Sequence, residues 1–150
     1  MKLPFFNSLT KKKPVFFLVL VLRNEKANAV IFEEQKGKIH VVGQNEEPFK
    51  DSVDKASPEE LLEVLDKIIS KAESTLPENS EVKKTIFGVK EDWVEDNKIK
   101  KEHLLELKKI SGELELAPIG FLIISQAISY LLQKEQGVPL SAIIVDAGKK

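Results

Sequence analysis

The run Val15-Phe16-Phe17-Leu18-Val19-Leu20-Val21-Leu22 is followed by the polar turn Arg23-Asn24-Glu25-Lys26 and by a second apolar-rich stretch, Ala27 to Glu33. An unbroken apolar run dense in Val and Phe reads as a strand covered on both faces. The second stretch alternates, with Ala29, Ile31 and Glu33 on one face and Val30 and Phe32 on the other. Gln35-Lys36-Gly37 turns the chain again, and Gly37 is free to take positive φ. Lys38 to Gly43 then reads as a third strand. Short turns joining three strands predict an antiparallel meander.

Downstream the signals change period. Ser57-Pro58-Glu59-Glu60 places Ser at the N-cap, Pro at the first helical position and Glu at the third, a capping box. Leu61, Leu62, Leu65, Ile68 and Ile69 follow at helical spacing, to about Ser74. Thr85 to Val89 is a short buried strand, and Glu91 to Asn97 an acidic loop. Lys100 to Ile110 repeats the helical spacing through Leu104, Leu105, Leu107 and Ile110. Ile119 to Ile124 is a strand. Ser125 caps a helix with Ala127, Ile128, Leu131 and Leu132 on its inward face, ended by Gly137-Val138-Pro139. Ser141 to Val145 is a last strand, with Asp146-Ala147-Gly148 at its tip. The order is β-β-β-α-β-α-β-α-β.

That order predicts an α/β fold of the ribonuclease-H-like type. A βββαβαβα unit would form one mixed sheet with helices on its faces, because β-α-β connections give parallel strands with right-handed crossovers. The expected layout is a basic tail over 1–13, the unit over 14–140, and a strand opening a second half over 141–150.

Composition removes several chemistries. The chain has 150 residues and no cysteine, so disulfides, cysteine-ligated zinc and thiol catalysis are excluded. Its two histidines, His40 and His103, stand without carboxylates at suggestive spacing and read as structural or exposed. Nuclease chemistry of the two-metal kind needs carboxylates on the first strand, and Val15 to Leu22 has none. Glu91, Asp92, Glu95 and Asp96 lack the alternation and glycine of a calcium loop and read as a solvated segment. Trp93 and Val94 read as the pin of that segment to the core. Asp51, Asp54 and Glu59 sit near a helix start, where acids favour the dipole.

The stretch from Ala117-Pro118-Ile119-Gly120-Phe121 through Ser125-Gln126-Ala127-Ile128 to Asp146-Ala147-Gly148 resembles the bacterial actin-like group that includes the cell-division protein FtsA and the type IV pilus-assembly protein PilM. The resemblance covers most of the chain in element order and about 30 residues in motif. It implies an actin-like ATPase fold, ATP with magnesium as cofactor, and assembly partners including further copies. Asp146 and Gly148 would be the cofactor-binding residues, the Asp near the metal's water shell and the Gly allowing backbone approach to phosphate. The departures are equally specific. The first hairpin, Leu22 to Lys26, has neither the Asp nor the Gly of the group's phosphate loop, and Gln126 stands where the group has Glu. The sequence stops two residues after Gly148, and the expectation is a lone half, either a fragment of a longer protein or a single-half relic. The expectation is therefore a scaffold or assembly protein with a degenerate or incomplete ATP site and no catalytic activity of its own. The alternative is a stand-alone, non-catalytic protein-binding module of the same fold.

Charge is asymmetric. The first 24 residues carry five bases and no acid, and the rest carry 18 bases and 24 acids. Lys11, Lys12 and Lys13 follow Leu3, Phe5, Phe6 and Leu9, a pattern that suits an anionic membrane surface. Nucleic acid is not expected as a partner, since the body lacks a basic face and has few aromatics. Lys11 to Ala29 imitates a secretory signal, but Arg23, Glu25 and Lys26 occupy the normally neutral approach to its Ala-Asn-Ala site. A span needs about 20 apolar residues, more than this run supplies. The expected location is cytoplasmic, at the membrane's inner face. Co-sedimentation with anionic vesicles should fall when residues 1–13 are removed; equal pelleting of both forms would dismiss the basic anchor.

Overall fold

The computed structural model describes residues 15–77, 80 and 82–126. The opening meander forms as expected: β1 (Val15–Leu22), β2 (Lys26–Gln35) and β3 (Lys38–Pro48). Helix α1 (Pro58–Glu73) leads to β4 (Lys84–Val89). A 3-10 turn (Glu91–Trp93) and a small hairpin, β5 (Val94–Glu95) with β6 (Lys98–Ile99), precede α2 (Lys101–Glu113) and β7 (Ala117–Ile123).

Five strands make one sheet in the order β3-β2-β1-β4-β7. β1–β2 and β2–β3 pair antiparallel, whereas β1–β4 and β4–β7 pair parallel. The early and late strands thus share a single mixed sheet, the ribonuclease-H-like arrangement.

Register decides the core. Leu18, Leu20 and Leu22 lie opposite Ile31, Ala29 and Ala27, so all six point to one face. They are fully buried, together with Leu61, Leu65 and Ile68 of α1. Leu107 and Ile110 of α2 join the same core beside Phe87 and Val89. Each fully buried leucine contributes on the order of 1.5–3 kcal/mol.

The other face corrects an expectation. On the other face of β1, Phe17, Val19 and Val21 are half-buried where full cover was expected. β7 is likewise no closed strand: Ala117 to Phe121 are exposed. Both α1 and α2 contribute to the first face. The expected tail over 1–13, the helix beyond Gln126 and the strand over 141–145 lie outside the described residues.

Three local differences have physical causes. β3 runs to Pro48 rather than Gly43, because Gln44 to Pro48 pair with Lys26 to Val30. Pairing holds that polar segment extended without apolar alternation. The segment expected as a bare acidic loop instead folds into the 3-10 turn and the β5–β6 hairpin, whose Asp96 and Asn97 both take positive φ (53° and 63°). Asp and Asn tolerate that region better than other side chains. Finally, residues 124–126 are already helical, so Ser125 lies inside the first turn and is not its cap.

The α1 start is half a capping box. The Ser57 hydroxyl accepts from the Glu60 N–H at 3.0 Å. The Glu60 carboxylate, however, accepts from the Lys50 N–H at 2.8 Å, tying the β3–α1 connection to the helix rather than closing the box.

Gly43 is required at a bulge. Phe32 pairs with Val41 and Ile31 with Gly43, leaving Val42 as the extra residue. The end of α1 crosses here, and a Cβ on Gly43 would collide with the Ala72 carbonyl oxygen. The Thr75 hydroxyl donates to the Val42 carbonyl at 2.8 Å, fixing the helix end to this edge. Gly43→Ala should therefore destabilise the fold by about 1–3 kcal/mol. Gly112→Ala, in α2 with open space around it, should be neutral or stabilising by up to about 1 kcal/mol. Urea unfolding of both variants checks the contrast.

Candidate functional site

Ligands in open α/β sheets bind beyond the carboxyl ends of parallel strands. Here that edge is formed by the ends of β1, β4 and β7. The residues leaving β1 are Arg23 and Asn24, and the residue leaving β4 is Lys90. The β3–α1 connection brings Asp54 to the same edge, and the 3-10 turn brings Trp93.

These side chains form a polar clasp. The Lys90 ammonium donates to Asp54 Oδ2 at 2.5 Å and to Asn24 Oδ1 at 3.4 Å. Asp92 lies 3.8 Å from the same ammonium. The Trp93 indole N–H donates to Asp54 Oδ1 at 2.9 Å. Both oxygens of Asp54 are thereby used.

Backbone bonds reinforce the clasp. The Arg23 N–H closes the hairpin on the Lys26 carbonyl at 2.9 Å. The Asn24 and Glu25 carbonyls accept from the Val53 and Phe49 N–H groups, each at 2.8 Å. Phe49 and Val53 are themselves buried in the core. The first hairpin is thus held at its tip by the β3–α1 connection.

Burial raises the Asp54 carboxyl, but the hydrogen bonds from Lys90 and Trp93 and the Lys90 charge outweigh it, holding the group below its ordinary range. Trp93 is 2% exposed and stacks on His103, with ring centroids 4.0 Å apart and planes within 3°. The reading of Trp93 as a pin holds. His103 serves that stack, whereas His40 stands apart on exposed β3.

The clasp does not fit a nucleotide phosphate and its metal. The hairpin offers no glycine for close backbone approach. Of the edge's two cations, Arg23 and Lys90, Lys90 is neutralised by Asp54, so a phosphate there would have to displace a short ion pair. Among the described residues no group of three His, Asp or Glu side chains is placed to hold a metal ion. Asp146 and Gly148, the expected cofactor-binding residues, lie outside the described residues. So does the continuation of the helix that carries Gln126.

Sequence reading placed Asp54 near a helix start but did not couple it to Lys90, 36 residues away. The available signal was positional: Lys90 directly follows a buried parallel strand, where site residues concentrate.

No protein-family profile matches the sequence, and no curated protein matches it. Solved structures do. The chain is similar to the Aquifex aeolicus member of the Ppx/GppA family, at 12% identity and a TM-score of 0.53, over 84% of this chain and 42% of that one. A second structure of the Aquifex aeolicus PPX-GPPA enzyme aligns at 14% identity and a TM-score of 0.48, over 81% and 42%. YeaZ from Pseudomonas aeruginosa aligns at 12% identity and 0.40, over 82% and 50%. The first likeness shows the fold alone: an actin-like, ribonuclease-H-like unit. The chain spans less than half the length of that structure.

The clasp has a pH signature. A carboxyl held low in the folded state stabilises above its unfolded pKa and loses that contribution as pH falls through the folded value. Asp54→Asn should thus cost at most about 1 kcal/mol near neutrality, since the pair is partly exposed. The deficit should shrink once the pH drops below the ordinary carboxylate range. Thermal melts of both proteins across acidic pH test this; a deficit that grows with acidification would contradict it.

Proposed function

We propose that this chain is an actin-like assembly lobe that acts by protein recognition and does not turn over nucleotide. The observation that carries this reading is the Asp54–Lys90–Trp93 clasp. It uses internal groups to tie together the first hairpin, the β3–α1 connection and the segment after β4. A nucleotide phosphate would find Lys90 already neutralised and no glycine in the first hairpin.

The process follows from the sequence resemblance to the FtsA and PilM group: scaffolding in cell division or type IV pilus assembly. The basic residues Lys11, Lys12 and Lys13 support a position at the inner face of the membrane. No helix among the described residues is long and apolar enough to cross a membrane, so the attachment would be peripheral. In a longer, two-lobed protein Asp146 and Gly148 would supply the phosphate contacts that this lobe's hairpin does not.

Titration with a fluorescent ATP analogue and magnesium should give no saturable binding in the micromolar range. Micromolar binding that ATP competes away would overturn the proposal.

A further inference from the structure

We propose that the outer edge of β7 and the groove beside it form a docking site for an extended, apolar, carboxylate-bearing segment of a partner protein. This rests on the reading of the chain as a recognition lobe and names the surface that would do the recognising.

Both ends of the sheet are edge strands, and they differ. Both carry a bulge, at Val42 in β3 and at Ile119 in β7, but among the described residues it is β3 that is also crossed by the end of α1, whose Thr75 hydroxyl occupies the Val42 carbonyl. β7 has no partner on its outer side among the described residues. Beyond Pro118, which has no N–H, such an edge presents backbone donors and acceptors to an incoming strand. Its side chains are apolar and open, with Ile119 54% and Phe121 37% exposed.

A groove of about 510 Å³ runs beside this edge, walled by Phe87 and Phe121 from the sheet and by Leu104 and Leu107 from α2. That volume lies in the range of sites that take several apolar groups, roughly 300–1,000 Å³. One buried hydroxyl on its wall, Ser111 Oγ, has no hydrogen-bond partner.

Charge selects the occupant. Lys108 lines the groove, and Lys101, two helical turns earlier, shares its stripe of α2. The acids of α2 fall elsewhere: Glu106 and Glu113 line a separate cleft against Pro58 and Glu59, and Glu102, absent from the groove's lining, lies about 120° around the helix from Lys108. The groove side of the helix is therefore cationic. An added strand would bond its backbone to β7, send alternate side chains into the groove, and set a carboxylate against Lys108.

The test uses the full chain and two short fluorescein-labelled peptides of alternating valine and threonine. One is ended by glutamates and the other by lysines. Fluorescence anisotropy should show saturable binding of the acidic peptide. Leu104→Asp, at a surface position, should weaken it at least about tenfold, and Lys108→Glu should weaken it similarly while strengthening the basic peptide. Far-UV circular dichroism confirms that the variants fold. If Leu104→Asp does not, the charge reversal at exposed Lys108 decides alone. Absence of saturable binding, or binding indifferent to Lys108→Glu, overturns the proposal; a groove filled by residues 127–150 gives that same outcome. Should the chain bind ATP yet take the acidic peptide, the reading of the clasp fails and this docking site stands.

Discussion

The backbone of β1 is hydrogen-bonded along both edges, antiparallel to β2 and parallel to β4. The rest of the molecule is keyed to that position. Its parity sends Leu18, Leu20 and Leu22 into the face carrying α1 and α2, and a slip of one residue would turn all three outward. Parallel pairing with β4 also sets the edge chemistry. It brings the ends of β1 and β4 to one side of the sheet, so that Asn24 and Lys90 come within reach of one another. The polar cluster is thus a consequence of strand direction before it is a matter of side-chain choice.

The fold was legible where the polypeptide repeats a period. The apolar run at Val15, the alternation from Ala27 and the helical spacing from Leu61 each specify their element through burial. Legibility failed where a partner rather than a pattern imposes the conformation. Gln44 to Glu47 have no strand signature and are extended because β2 lies beside them. Glu60 has the sequence position for a reciprocal cap, yet it bonds Lys50 because the connection folds back over the helix start. The Asp54–Lys90 pair had no motif to mark it: the place of Lys90 just after a buried strand was the one cue, and only the folded chain joins the two.

The fold and the chemistry point in different directions, as they can when one architecture hosts many activities. The sheet order is that of an actin-like unit. Yet the edge where such a unit would meet a ligand is tied shut by its own groups. In the proposed scaffold role this would keep the geometry constant whatever the nucleotide supply. Among the described residues the two edges of the sheet differ in cover, the end of α1 crossing β3 while no element flanks β7 on its outer side.

Trp93 carries one last consequence. It is the chain's single tryptophan, and it lies against an imidazole while its ring nitrogen bonds Asp54. The protein therefore contains a built-in optical reporter where the first hairpin, the β3–α1 connection, the segment after β4 and α2 converge. Loosening of that junction would register in its emission, with no label attached.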